Sequence, residues 1–149
     1  MPNKALQQNR DDVLRYGESV GCDLLKAAVR PHMAMVVVRY YCPCCGYPGL
    51  DGPAYRTLGA PPWRHPGPPP YERWYGFPSY AVCACCGFEF GNDDNPGTAL
   101  PSTFEQYRRE WVTEGCQWFD PTRQPAGWRV EEQFAAAGIA GPAEHLYGL

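Results

Sequence analysis

Hydrophobic and polar positions divide the chain into an amphipathic N-terminal segment, two short apolar runs and a helical C-terminal third. In "DDVLRYGESVGCDLLKAAVRP", apolar residues recur at roughly helical spacing as far as Pro31, which predicts a helix capped by Asp11 or Asp12. The runs "AMVVVRYY" and "SYAVCACCGFEF" are rich in β-branched and aromatic residues and predict strands. Each predicted strand leads directly into a cluster of cysteines.

The last third of the chain predicts two helices. In "PSTFEQYRREWVTEG", Ser102 and Glu105 have the spacing of a capping box, and Gly115 is a suitable stop. Three aromatic residues fall on one face of this helix: Phe104, Tyr107 and Trp111. The stretch "RVEEQFAAAG" predicts a second, shorter helix that ends near Gly138. We predict a helical segment over residues 1–32, either an extension or part of the fold, and a main domain over residues 33–149.

Composition and charge narrow the range of functions. The chain of 149 residues has 17 Pro and 16 Gly, which indicates long stretches without regular structure. A net charge of −3 argues against a general nucleic-acid binder. Residues 91–149 carry nine acidic and four basic side chains, so a charge-steered partner of this part should be basic. No run spans a bilayer and no secretory leader is evident, so we predict a cytoplasmic protein with reduced thiols.

The two cysteine clusters predict a metal site. Each cluster contains a Cys-x-x-Cys pair followed by glycine, the sequence of a zinc knuckle, in which a tight turn aims two thiolates at one point. The four predicted ligands of one structural zinc ion are Cys42, Cys45, Cys83 and Cys86. Because a strand is predicted before each knuckle, we expect an α+β protein with a small zinc-ribbon β core of rubredoxin-like knuckles, a long Pro/aromatic insertion and C-terminal helices.

Other uses of the clustered thiols remain open from the residues. Four thiolates also suit iron, as in rubredoxin-like centres. A thioredoxin-like motif would need a helix after Cys-x-x-Cys, where this chain has glycine and the strand-like "FEF". Cys44 and Cys85 occupy matching third positions in the knuckles, and are either bystanders near the metal or a redox-sensitive pair.

The insertion separates the knuckles by 37 residues, from 46 to 82, against roughly 15–20 in compact zinc sites. Prolines and aromatic residues alternate in it, as in "GAPPWRHPGPPPYERWYGFP". The insertion is either an ordered coat over a thin metal-centred core or a recognition surface. The candidate partner-binding residues are Trp63, Tyr71, Trp74 and Tyr75.

The chain resembles the bacterial cysteine-rich CPCC family of small proteins. The resemblance rests on "YYCPCCGYPGL", "PSYAVCACCGFEFGNDD", "YRREWVTEGCQWF" and "WRVEEQ", and covers about residues 40–139. It departs from the family pattern at Ala84, which stands where the name-giving proline would be. The resemblance implies a zinc-ribbon-like domain without an established activity. Members of the family are similar to proteins found near polymorphic toxins, which implies an immunity role.

Three functions follow as hypotheses. A site that uses four thiolates has no vacancy for substrate, so we expect a non-enzymatic, zinc-binding protein-interaction module, with neutralisation of a basic toxin domain as its specific role. The second hypothesis is a thiol or metal-centre redox protein. The third is a nucleic-acid-binding ribbon, with a small basic patch at Arg39, Arg56, Arg64 and Arg73. No membrane partner is expected.

Overall fold

The computed structural model describes residues 36–64 and 66–142. The helices in these residues are α1 (Glu72–Tyr75), α2 (Phe104–Thr113), a 3₁₀ helix (Pro121–Arg123) and α3 (Val130–Ala136). The N-terminal helix and the domain boundary that the sequence predicts lie outside the described residues. The chain divides after Val38, and the features below belong to the unit that begins at Arg39. No helix in the described residues is long and apolar enough to span a membrane.

The β structure of residues 36–64 and 66–142 consists of isolated bridges. Tyr40 pairs with Gly49 and Leu50, Tyr55 with Pro78, and Val82 with Glu89. The strand predicted from "AMVVVRYY" is not formed over residues 36–39, whose backbone makes no hydrogen bond within the described part of the chain. A strand needs a neighbour for its backbone groups, and residues 36–39 pair with no segment of the described chain. The zinc-ribbon topology therefore stays a prediction.

The helix α2 begins one residue later than the predicted capping box. The Thr103 hydroxyl accepts a hydrogen bond from the backbone N–H of Gln106 at 3.0 Å, and the Gln106 side chain accepts from the N–H of Thr103 at 3.3 Å. Both Ser102/Glu105 and Thr103/Gln106 fit the box pattern, so packing decides the register. The chosen start places Phe104 in the core, and Gly115, with φ +93°, follows the helix as predicted.

The core is small and aromatic. The rings of Tyr71 and Phe104 stack at 3.8 Å and 14°, and the backbone N–H of Phe104 donates to the Tyr71 hydroxyl at 3.0 Å. Tyr55 lies fully buried against both rings and against Phe90. Because each buried aromatic side chain removes about 150–250 Å² from water, a few rings supply much of the apolar burial. This cluster joins the insertion to α2 and to the second knuckle.

Two tryptophans of the insertion form hydrogen bonds with backbone carbonyls of the same insertion. The indole N–H of Trp63 donates to the carbonyl of Gly59 at 2.9 Å, and that of Trp74 donates to the carbonyl of Pro68 at 3.0 Å. The Trp74 ring lies against Gly67, where an added Cβ would come within 2.1 Å of it. Each hydrogen bond therefore links a tryptophan of the insertion to a backbone carbonyl four or six residues earlier in the chain.

Candidate metal centre

Two turns of matching backbone geometry present the clustered cysteines. In the first turn, the N–H of Cys42 donates to the carbonyl of Tyr47 at 2.8 Å, and the N–H of Gly46 donates to the carbonyl of Cys42 at 2.7 Å. In the second turn, the N–H of Cys83 donates to the carbonyl of Phe88 at 2.9 Å, and the N–H of Gly87 donates to the carbonyl of Cys83 at 2.8 Å. Gly46 and Gly87 have φ of +80° and +84°, a conformation that costs glycine little. Each turn is a knuckle that closes around its sulfur atoms.

The structure brings the four predicted ligand cysteines together. Their Sγ atoms all lie within 4.8 Å of one another, and the four residues are buried. The separation of Cys42 Sγ from Cys86 Sγ is 3.8 Å, and that of Cys45 Sγ from Cys83 Sγ is 3.7 Å. A tetrahedral ion with metal–sulfur bonds of about 2.3 Å would separate its sulfurs by about 3.8 Å. The cluster therefore has the size and donor set of a four-thiolate metal site.

The C-terminal helices hold both knuckles through their backbone carbonyls. From α2, the Arg108 guanidinium donates to the carbonyl of Cys44 at 2.5 Å and to that of Pro43 at 3.3 Å. From the same helix, the Tyr107 hydroxyl donates to the carbonyl of Cys86 at 3.2 Å. From α3, the Gln133 amide donates to the carbonyl of Cys45 at 2.9 Å. The helices thus fix the positions from which the sulfurs converge.

Three further hydrogen bonds complete this support. The indole N–H of Trp128 donates to the Gln133 side-chain oxygen at 2.8 Å, which orients the amide toward the first knuckle. The loop after α2 pairs with the second knuckle, because the N–H groups of Phe119 and Asp120 donate to the carbonyls of Cys85 and Ala84 at 3.0 and 2.9 Å. Partners of this kind keep metal ligands oriented.

The electrostatics of the metal-free cluster favour a cation. Burial raises the pKa of the Cys42, Cys45 and Cys86 thiols well above their ordinary value. Burial acts in the same direction on Cys83, but hydrogen bonds from the other three thiols outweigh it and lower the Cys83 pKa well below its ordinary value. Loss of a proton from this cluster therefore leaves a buried negative charge among four hydrogen-bonded thiols, which a cation would stabilise.

Cys44 and Cys85, the candidate redox pair, are also fully buried. The Cys44 thiol donates to the carbonyl of Phe104 at 3.5 Å, and the Cys85 sulfur accepts from the Gln133 amide at 3.5 Å. Neither belongs to the group of four converging sulfurs. Their contacts are with protein groups on α2 and α3, as expected for thiols that pack beside the site.

The candidate partner-binding residues occupy different environments. Tyr71 is 4% exposed and belongs to the core. Trp74 is 50% exposed, whereas Trp63 and Tyr75 are half-buried. Tyr75 donates its hydroxyl to the carbonyl of Arg64 at 3.4 Å. By exposure, a recognition role is therefore most accessible to Trp74.

Sequence reasoning missed the residues that support the knuckles. Arg108 and Gln133 are ordinary members of helical stretches, more than 60 residues from the carbonyls of the first knuckle, to which they donate. Helical periodicity places Tyr107 on the apolar face of α2 but does not predict the hydrogen bond from its hydroxyl to the carbonyl of Cys86. No local pattern marks a side chain that recognises a distant backbone carbonyl.

Comparisons with known proteins give limited information. The chain is 28% identical over 92 residues to an uncharacterized protein, YoaQ, of Bacillus subtilis (strain 168). The match covers 54% of this chain and 64% of YoaQ, so the chain spans less than two thirds of that relative's length. No family model matches the chain, and no solved structure matches it. The resemblance to the CPCC family therefore remains a prediction from the quoted motifs.

Proposed function

We propose that this protein is a non-enzymatic interaction module whose fold is stabilised by one structural zinc ion. The observation that carries the proposal is the group of four buried sulfur atoms, which all lie within 4.8 Å of one another and include two pairs at 3.8 and 3.7 Å. Cys42, Cys45, Cys83 and Cys86 would hold the ion. Four thiolates complete its coordination, so a zinc ion here would crosslink the knuckles and leave no position for a substrate.

The specific role we propose is binding and neutralising a bacterial toxin. The acidic side chains of the C-terminal third support a basic partner, such as a nuclease domain. Four of them lie exposed on α2, α3 and the residue after α2: Glu110, Glu114, Glu131 and Glu132. Complementary charge of this kind accelerates association and favours the correct partner.

Metal analysis and partner capture test the two parts of the proposal separately. Elemental analysis of the purified protein should give one zinc per chain, and removal of the ion by a chelator should unfold the protein. Iron in place of zinc would favour the redox hypothesis instead. Affinity capture from the native host should then recover a basic protein in a salt-sensitive complex. A zinc-loaded protein that recovers no protein partner would argue against the interaction role alone.

A further inference from the structure

A groove of about 690 Å³ lies beside the first knuckle. One wall is the insertion, with Trp63, Arg64 and the prolines that follow, and the other is formed by the first two turns of α2. Residues 137–140 and Pro43 of the knuckle complete the lining. The groove is open to solvent, so a segment of a partner protein can enter it. Its volume falls within the range of ligand sites in proteins, about 300–1,000 Å³.

The lining is cationic although the chain as a whole is acidic. Its described residues include three arginines, Arg64, Arg108 and Arg109, and one carboxylate, Glu105. Arg108 is engaged with the carbonyls of Pro43 and Cys44. Arg64 and Arg109 are exposed and form no ion pair within the described part of the chain. The groove therefore offers two guanidinium groups to a ligand.

We propose that this groove is a docking site for an acidic segment of a partner protein, an inference that rests on the proposed interaction role. Arg64 and Arg109 pair with carboxylates of the segment, because guanidinium groups bind carboxylates through two parallel hydrogen bonds. Apolar side chains of the segment lie against Trp63, Ile139 and the prolines of the insertion. A net charge of −3 on the whole chain opposes a long polyanion, whereas a short acidic segment meets mainly the local arginines. The acidic residues proposed to face a basic toxin are not part of this groove.

The tryptophan indoles provide a matched pair of reporters. Trp63 lines the groove, whereas Trp111 is buried in the core and neither it nor its partner Gln117 lines the groove. Each indole N–H is held by a backbone carbonyl, so each should give a separate, ordered signal in an amide correlation spectrum. The zinc-loaded full chain, labelled with nitrogen-15, is titrated with a short synthetic peptide of alternating Glu and Leu. A Lys/Leu peptide, inorganic phosphate and a single-stranded oligonucleotide are titrated in parallel.

We expect the Glu/Leu peptide to shift the Trp63 indole signal saturably, to leave the Trp111 signal in place, and to bind more weakly as salt rises. The double variant Arg64→Ala, Arg109→Ala should bind the peptide at least about tenfold more weakly. Arg73→Ala is the control, since Arg73 is exposed on α1 outside the groove, and it should bind normally. Arg108 is left unchanged because it supports the knuckle.

Several outcomes overturn the proposal. Equal binding of the Lys/Leu peptide would show that charge plays no role, and stronger binding of the oligonucleotide would assign the groove to nucleic acid. Equal binding of phosphate would reduce the groove to a general anion site. The absence of a Trp63 shift at low salt would remove the docking site. Zinc is measured in every sample, so loss of the metal, which challenges the proposed function, is distinguished from loss of peptide binding alone.

Discussion

The six clustered cysteines form two chemically different groups at the scale of single residues. Four sulfurs converge within 4.8 Å, whereas Cys44 and Cys85 make their contacts with Phe104 and Gln133. A knuckle turn aims its first and fourth residues toward the same point, so the third cysteine has to find another environment. Burial alone does not distinguish the groups, since all six are buried. Substitution of single cysteines should distinguish the four converging thiols from Cys44 and Cys85.

We expect Cys42→Ser to lose the metal and Cys44→Ser to retain it. Serine at position 42 removes a thiolate from the four-sulfur set, and the remaining ligands leave the ion open to water. Serine at position 44 keeps a donor for the carbonyl of Phe104 and should cost about 1 kcal/mol of stability. Zinc content per chain and urea unfolding of both variants provide the test. Equal metal loss in the two variants would mean that Cys44 is a ligand.

Gly46 and Gly127 separate two effects of adding a side chain. Both have positive φ, +80° and +69°, but a Cβ at Gly46 would lie 2.7 Å from the Cβ of Ala137, whereas a Cβ at Gly127 meets nothing within 4 Å. We expect Gly127→Ala to cost about 1–2 kcal/mol from backbone strain alone. Gly46→Ala should lower the free energy of unfolding by more than Gly127→Ala does. It should also release zinc faster than the unmodified protein, because the added Cβ pushes the end of α3 away from the knuckle. Denaturant unfolding with excess zinc measures the loss of stability, and stopped-flow transfer to a chelator measures the rate of zinc release. Equal losses of unfolding free energy in the two variants would show that α3 can move away from the knuckle without destabilising the protein.

The helices act as supports for the knuckles at the scale of secondary structure. The β structure of residues 36–64 and 66–142 is limited to isolated bridges, so backbone pairing between strands contributes little to the alignment of the two turns. Side chains from α2 and α3 donate instead to knuckle carbonyls on both halves of the centre. Each of these hydrogen bonds restricts the movement of one knuckle turn relative to the helix that donates it.

We expect Arg108→Ala to release zinc about tenfold faster than the unmodified protein, because it removes donors to two carbonyls of the first knuckle. Arg108→Lys should recover only part of the effect, since an ammonium group lacks the planar fork of the guanidinium. Arg109→Ala is the matched control, because Arg109 is exposed on the same helix and its side chain forms no hydrogen bond or ion pair within residues 36–64 and 66–142. Release rates in excess chelator provide the measurement. An Arg109→Ala rate as high as that of Arg108→Ala would show that helix charge, not the contact, matters.

The metal would act as a crosslink at the scale of the whole molecule. It would join positions 42 and 45 to positions 83 and 86, across an insertion of 37 residues. Closing a loop of this length restricts the unfolded chain, which raises the free energy of unfolding. The aromatic core and the helices depend on the same alignment, because α2 contacts both knuckles and the insertion.

Acid should release the metal. The raised pKa of Cys42, Cys45 and Cys86 means that these thiols are protonated in the metal-free protein at neutral pH, so the ion has to displace their protons. Displacement becomes harder as pH falls, and we expect zinc occupancy and folding to be lost together as pH decreases from about 8 to about 4. Zinc retained after dialysis and circular dichroism are followed at each pH. Occupancy that does not change over this range would exclude thiolate ligation.

The sequence determined which four thiols converge and the existence of the two C-terminal helices. The Cys-x-x-Cys-Gly spacing is a local property that predicts each knuckle turn, and apolar periodicity suffices to locate α2 and α3. The tertiary structure decided the rest. It shifted the cap of α2 by one residue so that Phe104 stacks on Tyr71, and it left residues 36–39 without the strand that their composition favours.

Only the tertiary structure could also show which side chains support the knuckles and where the cationic groove lies. Arg108, Gln133 and Arg64 come from segments far apart in the chain, and their roles depend on distances that no local pattern contains. A motif of a few residues fixes its own backbone because its hydrogen bonds are local. A groove or a supporting hydrogen bond arises where distant segments meet, so it depends on how the whole chain packs.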